Sequence, residues 1–224
     1  MANKSRSPEV IDFEKRRMSL VALDIIVKEG YHNLSIRKLS KRLDISPSTI
    51  YNYFNNSEEI YIYVLNKGFE MLFGEIQKAY DSHPDPIEKL KSVCRTFFAF
   101  AKREQNLIMI MLILDVPKYY DYVDTEYEPL MRIELENALK CRDVIVRIMN
   151  DMTEQYPSFP KEDIHRCAMI IINQLIGLIT IYNNNVMKYI TDDIEAGAEQ
   201  LIEEISRPFE LLRRNDAKRR FEIR

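Results

Sequence analysis

Hydrophobic and polar positions recur with helical spacing along most of the chain, and two short helix starts lie between Ser35 and Phe54. Ser35 and Ser46 each precede such a run, and a serine there caps a helix by accepting a backbone N–H. Pro47 follows at the first helical position, where a missing N–H costs nothing. With only about three residues between them, the two helices are predicted to form a helix-turn-helix, whose second helix enters the DNA major groove. The apolar pairs that bracket the two caps are Leu34 with Leu39 and Ile45 with Ile50.

Longer runs with the same spacing predict further helices and no paired strands. The apolar run 107–114 fits a buried strand or a helix, and we expect a helix because no second strand is available to pair with it. The sequence therefore predicts an all-α fold of about nine helices. A three-helix DNA-binding domain over residues 1–55 would join a larger helical domain over 56–224 that binds effector and forms the dimer. The predicted long helices are Glu9–Glu29, Asn56 to before His83, Pro86–Glu104, Leu130–Gln155, Lys161–Tyr182 and Thr191–Leu212.

Composition is that of an ordinary soluble protein: 224 residues, 46% hydrophobic and 30% charged, with a net charge of −3. Cys94, Cys141 and Cys167 are widely spaced and odd in number, so we expect buried, reduced thiols in a cytoplasmic protein. Residues 1–8 are polar and lack the apolar core of a signal peptide. The stretch 167–182 is apolar but too short to span a membrane comfortably, so no membrane partner is expected.

The second short helix offers polar side chains suited to reading DNA. Asn can bond bidentately to adenine, Ser and Thr reach several base edges, and a Thr methyl group can contact thymine. Arg37 lies in the first turn of the preceding helix and is the best candidate there for direct contact; Lys41 and Arg42 add positive charge. A solvated helix surface is the alternative for these basic residues. The candidate DNA-binding residues are Ser35, Arg37, Lys38, Ser46, Pro47, Ser48, Thr49, Tyr51, Asn52 and Tyr53.

The run from Thr49 to Phe54, Thr-Ile-Tyr-Asn-Tyr-Phe, followed by Glu-Glu-Ile at residues 58–60, resembles the DNA-binding domain of TetR/AcrR-type transcriptional regulators. The resemblance covers roughly residues 10–75. It implies DNA contact by Tyr51 and Asn52, and contact with base or backbone by Thr49. Two departures stand out: Asp44 replaces the usual turn glycine, and the stretch 55–57 lacks the usual phosphate-binding lysine, although a backbone N–H at the helix start could serve.

One helix-turn-helix makes few base contacts, so specificity normally needs two of them on a symmetric dimer over a palindromic operator in double-stranded DNA. The stretch 167–182 is apolar nearly all round and must be covered on both sides. We expect the last two helices to form a homodimer interface; a helix buried within the monomer is the alternative. The candidate dimer residues are Ile172, Leu175, Ile179, Leu201 and Ile205.

Methionines and aromatics in the helical body can line an adaptable apolar pocket, although each of them fits a plain core equally well. The resemblance implies an effector here, and an apolar or amphipathic one fits the composition. The candidate effector residues are Phe69, Leu72, Phe73, Phe97, Met109 and Met131. The tyrosine-rich stretch 117–129 is a ligand entrance or a polar connector.

Catalysis is not expected, because the three histidines are isolated and no nucleophile motif, phosphate-binding glycine loop or metal motif accompanies them. We therefore predict no enzyme, no cofactor and no metal site. The leading prediction is an effector-responsive repressor. A regulator without effector, and a helical interaction protein or enzyme with a vestigial DNA-binding domain, remain as alternatives.

Overall fold

The computed structural model describes the backbone of residues 7–222 and the side chains of residues 7–215. The prediction about a leader segment falls mostly on residues 1–6, outside this part of the chain. The described residues form nine α-helices and no strand, as the sequence predicts, and the run 107–114 is helical up to Ile113. The helices are α1 Pro8–Glu29, α2 Ile36–Leu43, α3 Pro47–Tyr51, α4 Ser57–Asp81, α5 Pro86–Arg103, α6 Gln105–Ile108, α7 Glu128–Gln155, α8 Ile164–Asn183 and α9 Ile194–Glu222.

The chain divides into two compact units by its internal contacts, and the functional boundary at residue 55 stays a prediction. The first unit contains Met1–Phe69 and Asn106–Glu136, and the second contains Glu70–Gln105 and Asn137–Arg224. The helices α1, α2 and α3 therefore share a unit with a distant segment of sequence. The helices α4 and α7 each continue unbroken from one unit into the other.

The first unit begins with α1, whose buried stripe includes Met18, Ala22 and Ile26. Gly30 ends this helix with φ +94°, a conformation that a residue with a Cβ rarely adopts. At the other end of α1 the predicted apolar periodicity does not lead to burial, since Phe13 is 65% exposed.

The first part of α4 packs against α6 and the π-helical turn Met109–Ile113 through a glycine. A Cβ added to Gly68 would lie 2.6 Å from Sδ of Met111 and 2.9 Å from Cδ1 of Leu107. Those separations are far below van der Waals contact, so a larger residue at position 68 would require the Met111 and Leu107 side chains to shift. The buried part of the run 107–114 thus forms part of the core of the first unit.

The second unit is built on α5, α8 and α9, which pack on one another. Ion pairs join α5 to α9: Lys91 Nζ lies 2.6 Å from Glu210 Oε1, and Lys102 Nζ lies 2.6 Å from Glu195 Oε2. The helix α9 begins later than predicted and continues beyond Leu212. It also tolerates Pro208 in its interior, a residue that usually ends or kinks a helix.

Two expectations from composition need adjustment. Of the three cysteines, Cys94 is buried, whereas Cys141 and Cys167 are half-buried. The stretch Lys161–Asn183 is helical over 23 residues and is long and apolar enough to cross a membrane by length and composition alone. Core helices of soluble proteins pass the same test, and this one packs on α5 and α9.

Candidate nucleic-acid interface

Two serine caps shape the helix-turn-helix as the sequence predicts. Ser35 accepts the backbone N–H of Lys38 at 3.2 Å, and Ser46 accepts that of Thr49 at 3.2 Å. Between the helices Asp44 adopts the left-handed conformation, with φ 53° and ψ 47°, that its short polar side chain tolerates. Ile50 is fully buried and Phe54 nearly so, which turns the opposite surface of α3 outward.

Most of the residues predicted to contact DNA lie on this outward surface of α3. Tyr51 is 56% exposed, and Pro47, Ser48 and Asn52 are also exposed. Thr49 and Tyr53 are half-buried. Ser46 is exposed but already bonded, since its hydroxyl lies 2.7 Å from that of Ser48 and 2.9 Å from that of Thr49. The arrangement presents a phenol, a carboxamide and hydroxyls on one small surface, which are groups that bond to base edges and phosphates.

The basic residues of α2 form two sets, one ion-paired with α1 and one exposed without such a pair among the described residues. Lys38 Nζ lies 2.7 Å from Glu29 Oε2, and Arg42 pairs with Asp24 at 2.6 Å and also with Glu29. These ion pairs lower the pKa of the Asp24 and Glu29 carboxyls, mainly through hydrogen bonds from Lys28 and Lys38 respectively. Lys38 and Arg42 therefore pair α2 with α1, and DNA contact by Lys38 stays a prediction.

The other pair, Arg37 and Lys41, is exposed and makes no ion pair within the described residues. On α1, Lys15 lies over the ring of Phe54 with Nζ 5.1 Å from the centroid, and Arg17 pairs with Glu14. Arg16 is exposed. Arg37, Lys41 and Arg16 are therefore the cations best placed for phosphate.

The start of α4 is capped by Asn56, whose Oδ1 accepts the backbone N–H of Glu59 at 3.0 Å. The Glu59 carboxylate accepts two hydrogen bonds from Asn55, one from its backbone N–H at 2.9 Å and one from its side-chain amide at 2.6 Å. A phosphate would have to displace this carboxylate to reach the N–H of Asn55. The backbone anchor expected at residues 55–57 is thus already occupied at Asn55.

A cluster of tyrosines that no sequence pattern indicates supports the first turn of α4. Tyr31 donates to both oxygens of Glu58, at 2.6 and 2.7 Å, and Tyr122 donates to Glu58 as well. Nearby, Asn56 Nδ2 donates to the Tyr127 hydroxyl at 2.9 Å, and Tyr61 donates to the carbonyl of Pro117 at 2.6 Å. The tyrosine-rich stretch 117–129 is therefore bonded to the start of α4.

Burial and the Glu58 carboxylate raise the pKa of both Tyr31 and Tyr122, so both phenols stay protonated and donate. These residues border an open cavity of about 610 Å³ together with Asp121, Glu126 and Tyr127. No group of three His, Cys, Asp or Glu side chains among the described residues is arranged to hold a metal ion.

Burial separates the predicted dimer residues into two sets. Leu175, Ile179 and Ile205 are buried within their own chain, and Ile172 is half-buried, whereas Leu201 is 41% exposed. The dimer role of all five residues stays a prediction, since burial within one chain does not test it. On the described parts of α8 and α9, the exposed large apolar side chains include Met169 and Ile170 on α8 and Leu201 and Leu211 on α9.

The predicted effector residues are core residues of the two units. Phe69 and Met131 in the first unit and Leu72 in the second are buried, and Phe73, Phe97 and Met109 are half-buried. None of the six borders the cavity beside Glu58 or a second cavity near the end of α8.

Comparison with known proteins agrees with this geometry. Residues 21–64, which span the helix-turn-helix, match the family model of bacterial regulatory proteins of the tetR family. The transcriptional activator FasR of Mycolicibacterium smegmatis is 20% identical over 193 residues, covering 86% of this chain and 79% of FasR. The nucleoid occlusion factor SlmA of Vibrio campbellii is 23% identical over 165 residues, covering 72% of this chain and 79% of SlmA.

Among solved structures, FadR of Bacillus subtilis in complex with stearoyl-CoA superposes with a TM-score of 0.66 at 20% identity, covering 85% of this chain and 97% of FadR. The segment that contains the helix-turn-helix, residues 21–64, matches the tetR family of bacterial regulatory proteins. The described part of the chain has the all-helical fold of solved tetR-family regulators.

Proposed function

We propose that this protein is a homodimeric transcriptional repressor that binds a palindromic operator and is released from it by a small apolar or amphipathic effector. The observation that carries the proposal is the surface of α3, where Tyr51 and Asn52 are exposed beside the buried Ile50. A repressor of this kind acts on the chromosome, which places it in the cytoplasm of a bacterium.

Binding to DNA follows from the way this surface is held. The caps at Ser35 and Ser46 fix both helix starts, and the ion pairs of Lys38 and Arg42 hold α2 on α1. A reading surface held in one geometry loses little conformational entropy on binding. Arg37 and Lys41 remain for phosphates, which set the register of the protein on the duplex.

Dimerisation follows from the exposed apolar surface of α8 and α9. Met169 is 64% exposed and Ile170 is 50% exposed on a helix whose opposite side is core. Leu201 and Leu211 add exposed apolar side chains to α9. Two such helices from each chain would bury these side chains in an isologous four-helix interface, and the two reading helices would then be related by the two-fold axis of a palindrome.

The effector proposed is the coenzyme A thioester of a long-chain fatty acid. Two observations support it: FadR of Bacillus subtilis, which shares this fold, was solved in complex with stearoyl-CoA, and the helical body of this chain is rich in apolar side chains. The residues predicted from the sequence, Phe69, Leu72, Phe73, Phe97, Met109 and Met131, remain the proposed contacts of the acyl chain.

The proposal is tested by measuring the affinity of the purified protein for DNA from upstream of its own gene, by fluorescence anisotropy. Stearoyl-CoA is then titrated in, with free coenzyme A and stearate as controls. The expected result is specific binding that stearoyl-CoA reverses and coenzyme A does not. A promoter fusion in cells distinguishes repression from activation, which matters because FasR is named an activator.

A second candidate function is DNA binding without any small-molecule effector. The match to the nucleoid occlusion factor SlmA favours it, as does the burial of Leu72 and Met131 in well-packed core. In that case DNA affinity would be unaffected by stearoyl-CoA and by other acyl-CoA chain lengths.

A further inference from the structure

A second cavity lies in the second unit, where α8 ends and α9 begins. Its volume is about 670 Å³, large enough for a small metabolite together with water. The connecting residues turn sharply, with Asn185 in the left-handed conformation at φ 59°. The lining residues used below are Tyr182, Asn183, Lys188, Asp192, Asp193 and Glu195.

Asn183 has an unusual environment within this lining. Its Oδ1 and Nδ2 are both buried, and neither has a hydrogen-bond partner among the described residues. Buried polar atoms are nearly always bonded, since an unpaired buried donor or acceptor destabilises the fold. A group bound in the cavity that offers one acceptor and one donor would satisfy this carboxamide.

Some charged groups of the lining already have partners. Glu195 accepts from Lys102 at 2.6 Å and from the hydroxyl of Tyr182 at 3.1 Å, and Asp193 accepts the backbone N–H of Ala196 at 3.0 Å. These contacts hold the walls in place and leave the two carboxylates occupied.

Two charges of opposite sign remain. Lys188 and Asp192 make no ion pair within the described part of the chain. Together with Asn183 they offer an ammonium, a carboxylate and a carboxamide around one cavity. A ligand that carries both a carboxylate and an ammonium would satisfy all three, with its carboxylate toward Lys188 and its ammonium toward Asp192.

We propose that this cavity binds a free α-amino acid. The lining carries three carboxylates against one ammonium, which disfavours polyanions such as the phosphates of coenzyme A. A zwitterion avoids that repulsion and provides both the donor and the acceptor that Asn183 needs. The site is separate from the DNA-reading surface and from the effector residues proposed above.

The test uses the full-length protein and each of the twenty common α-amino acids as separate probes, in thermal-shift assays followed by calorimetry. At least one amino acid is expected to raise the Tm and bind. Asn183→Leu should weaken that binding by about tenfold or more, because both hydrogen bonds are lost. The same substitution should raise the Tm of the ligand-free protein, because it removes the unpaired polar atoms.

Asn184→Leu is the matched control: Asn184 is the exposed neighbour, and only its backbone N–H caps α8. It should leave amino-acid binding unchanged. If Asn183→Leu does not fold, Lys188→Ala at the exposed Lys188 replaces it, with the same expected loss. The proposal is overturned if no amino acid binds the wild-type protein, as would follow if ordered water alone satisfies Asn183. Equal binding by wild type and the folded site variant would overturn it as well.

Discussion

Tyr31 donates hydrogen bonds to both carboxylate oxygens of Glu58, at 2.6 and 2.7 Å. Tyr31 lies just after α1, and Glu58 lies in the first turn of α4. Tyr122, from the tyrosine-rich stretch, donates to the same carboxylate. Three distant pieces of sequence therefore meet at one acidic group, at the start of the helix that follows the helix-turn-helix.

We expect the double substitution Tyr31→Phe with Tyr122→Phe to loosen α4 from the reading helices. Glu58 would lose its phenol donors, and hydrogen bonds to charged groups contribute about 1.5–3 kcal/mol each. Urea unfolding should show lower stability, and operator affinity should fall. Tyr189→Phe, at an 89% exposed position, is the control and should change neither. Unchanged stability in the double variant would show that this cluster does not stabilise the unit.

A buried carboxyl group is expected to make the stability of the first unit depend on pH. Glu134 is 5% exposed, and burial raises its pKa to about 7, partly offset by the positive charge of Lys118. An unfolded glutamate has a pKa of about 4.3, so between there and pH 7 the folded state holds a proton that the unfolded state has released. Stability should therefore fall as pH rises through this window and then level off.

Glu134→Gln should remove the loss of stability that ionising the buried Glu134 causes. The Tm at pH 8 should rise by a few degrees relative to wild type, with little difference at pH 4.5. Thermal unfolding across pH 4.5–8 measures this. Glu136→Gln, at an exposed position two residues on, should keep the wild-type profile. If the Tm of wild type and of Glu134→Gln changed with pH in parallel, Glu134 would not be the cause of the pH dependence.

The dimer proposal is tested on α8. Met169→Glu with Ile170→Glu should give a folded monomer, because both side chains are exposed in the isolated chain and only a partner would bury the new charges. Sedimentation velocity at micromolar concentration reports the oligomeric state. Ile133→Glu, at a 49% exposed position on α7, is the control and should remain dimeric. A wild-type protein that sediments as a monomer would contradict the proposal.

The features predicted well from sequence are local ones. The caps at Ser35 and Ser46 and the turn at Asp44 depend on residues within four positions of each other, so their chemistry is visible in the sequence. Tyr31 and Tyr122, which both donate to Glu58, are 91 positions apart, and no local pattern marks their meeting.

Periodicity identifies an apolar position without telling which neighbour covers it. For this reason the pattern marks Leu175 as apolar but does not show that residues of its own chain bury it. Conversely, Phe13 fits the helical stripe of α1 and yet is exposed. The same pattern ends α9 too early, since the chain continues in helical form through Pro208 to Glu222.

The effector proposal carries a thermodynamic requirement. Stearoyl-CoA can lower operator affinity only if it binds better to a conformation that binds DNA poorly, and the coupling is then reciprocal. The continuous helix α4 offers one route, because it runs from the reading domain into the second unit. Calorimetric titration with stearoyl-CoA should give weaker binding in the presence of operator, by the same factor as the loss of operator affinity. Equal affinities in the two titrations would leave a DNA-binding protein that is not gated by this effector.

The central claim is that α3 reads DNA, and selection from a random-sequence DNA pool with the purified protein tests it most directly. The wild-type protein should enrich a palindrome. Tyr51→Ala and Asn52→Ala should each bind that palindrome about tenfold or more weakly, since a lost base-edge pair costs about 1–3 kcal/mol. Tyr189→Ala, which removes an even more exposed phenol elsewhere on the surface, should bind as wild type does. Failure to enrich any sequence, or unchanged affinity in both α3 variants, would contradict the claim.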